Sequence, residues 1–285
     1  MPPYNFNGED NRLYHYPVLS KYDLGLVRSP GAGLGNLLFP IARAVQGQHN
    51  LGGTMVYPTL RQLKFGTYFR NERDRRTYGD VFRSRSLLDW KQWVLSKTAK
   101  ELTEDQEFKD LSRKSSVIRY EGLKNYFHDI SDCHEAVSNW ILQNANLKGV
   151  IEEPYDIGIH IRLGDFVNAT TSASQHSIRQ PFDWYRKAHD YAQQLGNFNA
   201  PRTILFTDEN PDEVSEKLKL RNIELDPAVN AITSITNLSK AKYIITSRST
   251  FSMWAVYLGQ NIALWNSEFN FATSMPMRDG KDIVI

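Results

Sequence analysis

Three stretches of the chain carry residues whose types and spacing suit the binding of an anion. In Tyr155-Asp156-Ile157-Gly158-Ile159-His160-Ile161-Arg162-Leu163-Gly164-Asp165-Phe166, the side chains of His160, Arg162 and Asp165 stand at or just beyond the end of an apolar alternation. A planar guanidinium there is shaped for bidentate contact with a phosphate. In Ser247-Arg248-Ser249-Thr250-Phe251-Ser252, hydroxyls and backbone N–H groups gather on a short turn, where a phosphate would be held. In Ser29-Pro30-Gly31-Ala32-Gly33-Leu34-Gly35-Asn36, three glycines at alternate positions let the backbone turn tightly and come close to an anion. Each stretch also has a plainer reading: a strand end with a solvated arginine, a helix capped by Ser249, and a loop packed closely on its helix.

The elements that must position these residues follow from periodicity. Ile157, Ile159 and Ile161 alternate with Asp156, Gly158, His160 and Arg162, the period of two that a strand requires, and Gly164 permits a sharp exit. Beyond it the pattern predicts helices over 181–195, 211–220, 232–241 and 250–258, with strands over 203–206, 223–225, 243–246 and, last, 262–265. Strands alternating with helices of about ten residues signal right-handed βαβ units on a parallel sheet, so the second half reads as a Rossmann-like domain. In such sheets ligands bind beyond the carboxyl ends of the strands. His160, Arg162, Asp165 and the hydroxyl turn all fall there.

The first half is less regular. A polar, tyrosine-rich lead-in to about Lys21 precedes an expected strand over 24–27, the glycine loop, and a helix in which Pro40 is expected in the first turn. The loop is not the dinucleotide fingerprint, for it lacks that register and an acidic residue near 52–58 for a ribose. A short strand over 54–57 follows. Then Arg61, Lys64, Arg70, Arg73, Arg75 and Arg76 interleave with Tyr68, Phe69 and Tyr78, as a solvated face or as a loop touching a polar acceptor. Leu87, Leu88, Trp90, Trp93, Val94 and Leu95 predict an amphipathic core helix within 86–104, its tryptophans used for packing. A strand over 117–120 and a helix from Ser131 to Asn146, with Val137, Trp140 and Ile141 inward, lead to a turn near 149–154 that divides domains 1–150 and 151–285.

Composition narrows the class. With 285 residues, 41% hydrophobic and 23% charged, the chain is long enough for one large core or two smaller ones. A net charge of +2 gives no field for nucleic acid. Cys133 is the single cysteine, so no intrachain disulfide forms and a cysteine metal site is not expected. No apolar run approaches a membrane span, and the first twenty residues do not resemble a signal peptide, so a cytoplasmic protein is expected.

Taken together and in order, the motifs resemble a known family. Gly33-Leu34-Gly35-Asn36, His160-Ile161-Arg162-Leu163-Gly164-Asp165-Phe166 and Ser249-Thr250-Phe251-Ser252-Met253-Trp254-Ala255-Val256-Tyr257-Leu258-Gly259 are similar to the segments of the α-1,2-fucosyltransferases, glycosyltransferase family 11. Phe206-Thr207-Asp208 and Gly122-Leu123-Lys124-Asn125-Tyr126-Phe127 resemble two further family segments. The resemblance, which covers most of the chain from about Leu24, implies a GT-B fold with two Rossmann-like domains, GDP-fucose held mainly by the C-terminal one, and a glycan acceptor. It also implies an inverting transfer without a metal or other cofactor. The chain departs from the family in having Leu163 where a second arginine is usual, and Leu37-Leu38 where Gln-Met is usual. Arg162 matches the arginine assigned to the pyrophosphate.

On that basis Arg162 meets the charge growing on a departing diphosphate, and Gly33, Leu34, Gly35, Asn36, Ser249, Thr250 and Phe251 complete a donor cradle with His160 near the ribose or phosphate. Asp208 accepts from guanine N–H groups or caps its turn. Asp165 and, after it, His176 are the candidate bases for the acceptor hydroxyl. Asp165 could instead orient Arg162 or cap the loop, with the proton left to solvent or to the leaving phosphate.

Overall fold

A computed structural model of the chain describes residues 12–63, 77–105, 115–164 and 178–285. The chain divides into two compact units, Met1–Asn146 and Leu147–Ile285. Each contains a parallel sheet flanked by helices, the pair of α/β units expected of the GT-B class. No helix among the described residues is long and apolar enough to cross a membrane.

In the first unit the described strands are β1 (Leu13–Val18), β2 (Thr54–Met55), β3 (Lys100–Thr103) and β4 (Ser116–Glu121), in the order β2-β1-β4-β3. The expected strand over 24–27 is instead a turn: Gly25 has φ +83°, its N–H donates to Asp23 Oδ1 at 2.7 Å, and Leu24 and Leu26 point outward. The true first strand lies in the lead-in. Its Tyr14 and Tyr16 pack on Val56 and Val117, while His15 is buried between the Tyr120 hydroxyl and the Gly52 carbonyl, each 2.8 Å from a ring nitrogen. Burial holds that imidazole near pKa 4, neutral and bound at both ends.

Helix α1 (Leu34–Leu51) buries Leu37, Leu38, Phe39, Ile41, Ala42 and Val45. Pro40, expected in the first turn, lies inside the helix because the helix begins at Leu34; it is buried and cannot donate to the carbonyl of Asn36. Arg43, 1% exposed, reaches from α1 to the exit of β4, donating to the carbonyls of Glu121, Gly122 and Leu123 and to Glu104 at 2.8 Å. Helix α2 (Leu87–Thr98) forms where expected, started by a capping box between Ser86 and Asp89. It is not a core helix: Leu87 is 90% exposed, and Leu88 and Val94 also face outward. Its tryptophans carry cations, with Arg85 over Trp90 and Lys97 over Trp93. Helix α3 (His134–Asn144) starts later than Ser131, after a 3-10 stretch at Tyr126–Cys133, with Val137 and Ile141 buried as expected.

The second unit has six described strands, all parallel: β5 (Tyr155–Ile161), β6 (Thr203–Thr207), β7 (Ile223–Leu225), β8 (Ala241–Ile245), β9 (Ile262–Trp265) and β10 (Asp282–Val284). Their order is β10-β9-β8-β5-β6-β7. The last of them was not expected; it is three residues long, and its Asp282 is fixed by the Trp265 indole N–H at 3.0 Å and by Arg278. Alternation on β5 sends Ile157, Ile159 and Ile161 into a core closed by α4 (Phe182–Leu195) and α5 (Pro211–Leu218). Gly158 and His160 face the other side, against α6 (Ala231–Leu238) and α7 (Thr250–Leu258): a Cβ at Gly158 would stand 2.7 Å from Leu238 Cδ1. From β5 the chain winds outward through β6 and β7, then crosses back to β8 on the other side of β5 and winds outward through β9 and β10. The winding direction reverses between β5 and β8, which is where ligands bind in open α/β sheets.

Candidate functional site

The carboxyl end of β5 is pinned by its neighbour β6. Ile161 pairs with Thr207, so the next residues, Arg162 and Asp208, leave the sheet side by side. Arg162 Nη1 lies 3.1 Å from Asp208 Oδ2, and the same carboxylate accepts the N–H of Leu163 at 3.0 Å and of Gly164 at 3.2 Å. Arg179 Nε closes the other side of the turn on the Leu163 carbonyl at 3.1 Å. Gly164 suits this closeness, since a Cβ there would stand 2.5 Å from Asp208 Oδ2 and displace that carboxylate. Asp208 orients Arg162 and caps the start of its loop, while Asp165, for which the same roles are among the expectations, lies outside the described residues. The Asp208 carboxylate is engaged on three donors, the geometry of the turn-capping reading of that residue.

Across the reversal point, β8 leads into the turn before α7. His160 Nδ1 lies 2.8 Å from Ser247 Oγ, and the imidazole stacks on Phe251, the second residue of α7, with centroids 4.7 Å apart and planes 15° from parallel. His160 is fully enclosed, and burial reinforced by the Arg162 charge lowers its pKa to about 3. It is therefore neutral, and its contacts to Ser247 and Phe251 tie the end of β5 to the turn before α7. Ser249 caps α7 by accepting the Phe251 N–H at 3.2 Å, and Ser252 Oγ lies 3.1 Å from the carbonyls of both Ser247 and Ser249. Thr250 opens the helix, whose positive end follows the exit of β8, the strand beside β5.

Arg248, within the same turn, is 3% exposed and donates Nη2 to Glu268 Oε2 at 2.8 Å; its Nε is buried without a partner. It is not among the residues expected from the sequence, where the hydroxyls of Ser247, Ser249, Thr250 and Ser252 dominate the turn. The signal was present: an arginine in a strand-to-helix turn has the same placement as Arg162.

Asp165 and His176 lie outside the described residues, as do Lys64, Arg70, Arg73, Arg75 and Arg76 of the basic run. Gly33, Leu34, Gly35 and Asn36 belong to the first unit, where Gly33 is the N-cap of α1 with φ −65° and the Leu34 N–H donates to the Tyr78 hydroxyl at 3.1 Å. At Gly31 a Cβ would stand 2.9 Å from both the buried Arg28 Nη1 and the Leu19 carbonyl, so that glycine is needed for packing. Among the described residues, no three His, Cys, Asp or Glu side chains gather in a metal-binding group.

The model of the glycosyl transferase family 11 matches residues 118–282. The chain belongs to glycosyl transferase family 11. In this family-11 enzyme the matched segment runs from β4 to β10 and so contains both sides of the reversal point, with Arg162, Asp208 and the turn before α7. Solved structures with a similar fold include the fucosyltransferase NodZ from Bradyrhizobium, 13% identical, with a TM-score of 0.47 over 88% of this chain and 94% of that one. Others are the E. coli heptosyltransferase WaaC with ADP, 11% identical, TM-score 0.45, over 96% and 92% of the chains, and POFUT1 in complex with GDP, 13% identical, TM-score 0.42, over 89% and 97%. No curated protein sequence matches the family-11 chain.

Proposed function

We propose that this family-11 glycosyltransferase moves L-fucose from GDP-fucose to a hydroxyl of a galactose-containing glycan, with the 2-hydroxyl as the acceptor position and inversion at the sugar carbon. The observation that carries the reading is the Arg162 guanidinium, held by Asp208 at the carboxyl end of the central strand, beside the reversal point and the N-terminus of α7. In the transfer the acceptor oxygen bonds to C1 of fucose as the bond from C1 to the β-phosphate oxygen breaks. The bonding pair leaves with the diphosphate, and the hydroxyl proton passes to a base, to solvent or to the departing phosphate. Negative charge thus grows at a place that needs fixed, preorganised donors, which Arg162 and the α7 terminus supply. The reaction needs no divalent ion on this reading, because cationic side chain and helix dipole take its role. The second unit is accordingly the donor side and the first the acceptor side.

One observation favours a second reading of the specificity. Leu163 stands where the family resemblance expects a second arginine, and it packs against the apolar core of the second unit. A GDP-sugar other than GDP-fucose, or an acceptor other than a galactoside, is the form that departure would take. Both readings are tested by incubating the protein with GDP-fucose, GDP-mannose and a panel of β-galactosides in excess EDTA. Transfer of fucose to galactose O2 is expected; transfer only from another donor selects the second reading, and activity that requires added magnesium or manganese overturns the metal-free mechanism.

A further inference from the structure

We propose that Arg248 is a second diphosphate-binding guanidinium, taking the place of the arginine absent at Leu163, and that it exchanges Glu268 for the phosphate when the donor binds. The inference rests on the donor-site reading for the class of ligand, a nucleoside diphosphate. Strand register supports it. Gly158 pairs with Ile244 and Ile159 with Ile245, so carrying the ladder three residues onward brings Arg162 level with Arg248 on adjacent strand exits, while Asp208 stands level with Arg162 on the other side. Two arginines thus leave the sheet at the reversal point, one from each of the strands that flank it.

Their partners differ. Arg162 is held by a carboxylate that also caps the backbone of residues 163–164, so this pair is built into the turn. Arg248 is nearly enclosed, yet its one carboxylate partner among the described residues, Glu268, has a side chain 75% exposed, and Arg248 Nε is buried with no hydrogen-bond partner among them. A buried guanidinium keeps a large desolvation cost unless its N–H groups are filled, and an exposed carboxylate at one corner fills only part of that need. Glu268, open to solvent, is the exchangeable half of this pair. Helix α7 begins two residues after Arg248 and adds its positive end to the same place. A doubly charged phosphate group there would fill the open Nε of Arg248 and meet the helix terminus at once.

The test uses calorimetric titration of the full chain and its Arg248→Ala, Arg248→Lys and Glu268→Gln variants with GDP, GMP, ADP and inorganic pyrophosphate, alongside thermal unfolding. Arg248→Ala should weaken GDP and pyrophosphate about tenfold or more and GMP much less, the loss expected for one charge-assisted hydrogen bond to the β-phosphate. Arg248→Lys should recover part of the loss. Glu268→Gln should tighten diphosphate binding, because it removes the competing carboxylate; an ion pair that served only stability would leave affinity unchanged or lower it. Should Arg248→Ala fail to fold, the sign of the Glu268→Gln effect decides. Unaltered GDP affinity in a folded Arg248→Ala protein, or weaker binding in Glu268→Gln, overturns the proposal while leaving the donor-site reading standing. Preference for ADP over GDP with the same variant effects overturns the guanine reading and keeps Arg248 in its role, and a parent protein that binds no diphosphate overturns both.

Discussion

Asp208 Oδ2 lies 3.1 Å from Arg162 Nη1 and 3.2 Å from the Gly164 N–H, so one carboxylate oxygen fixes both the guanidinium and the loop that follows it. The pairing depends on two strand ends lying level, and it makes the direction of Arg162 a property of the sheet.

Replacing Asp208 by alanine should therefore cost both stability and activity. Two backbone N–H groups and a partly buried guanidinium lose their acceptor, at about 1–3 kcal/mol for a group left unsatisfied. The expected result is a lowered unfolding midpoint in urea together with at least a tenfold fall in kcat/KM. Full activity in Asp208→Ala would show that Arg162 does not need this anchor.

Gly164→Ala is a finer probe of the same contact. The added methyl would stand 2.5 Å from Asp208 Oδ2, so the carboxylate must move off the Gly164 N–H and carry Arg162 with it. Activity should drop by on the order of tenfold or more, since misplacement of about 1 Å at a reacting site can cost a hundredfold. Thermal unfolding should change little by comparison, because Gly164 is exposed. An unchanged kcat/KM would mean that the loop tolerates the shift.

The buried imidazole gives a pH signature. His160 has a pKa near 3 when folded and about 6.5 when unfolded, so between those values only the unfolded chain takes up its proton. Its neutral form contributes stability above about pH 6.5, which is lost as pH falls toward 3, with a slope approaching about 1.4 kcal/mol per pH unit. His160→Asn keeps an amide near Ser247 Oγ and removes the titration. Urea unfolding at pH 7.5 and 5 should show the parent's stability advantage over this variant shrinking at the lower pH. His15 titrates in the same direction in both proteins and cancels from the difference. A constant or growing advantage would place the His160 ring in contact with solvent.

Asp282→Ala tests the terminal strand. It removes the acceptor of the Trp265 indole N–H and of three donors on Arg278, and it leaves that guanidinium with the Val256 carbonyl but no carboxylate. Breaking a buried pair from one side costs roughly 3 kcal/mol or more, so a clear fall in the unfolding midpoint is expected. No change would mean that β10 adds nothing to the second unit.

The second unit was legible because its strands are apolar runs separated by helices of ordinary length, and because Arg162 follows a period-two strand directly. What escaped was set by distant partners. Strand β1 reads as polar because Tyr14, His15 and Tyr16 are polar residue types, yet His15 is bonded to Tyr120 and Gly52, and the Tyr16 hydroxyl donates to Asp23. The period of α2 was correct, but periodicity cannot say whether anything covers Leu87 and Leu88. Strand β10 is too short for a pattern. The grip of Asp208 on Arg162 depends on the β5 and β6 register, which separates residues 46 positions apart in the chain only by one strand spacing.

The most direct test of the account is kcat/KM for fucose transfer by Arg162→Ala and Arg162→Lys, measured with GDP affinity and thermal unfolding on the same preparations. Loss of a preorganised donor to developing negative charge costs about 2.7–4 kcal/mol in other enzymes, and each 1.36 kcal/mol is about tenfold in rate. The account predicts that Arg162→Ala stays folded, binds GDP more weakly and transfers fucose at least about a hundredfold more slowly, with lysine restoring part of the rate because it keeps the charge and loses the fork. A folded Arg162→Ala protein that transfers fucose within a few-fold of the parent would contradict it.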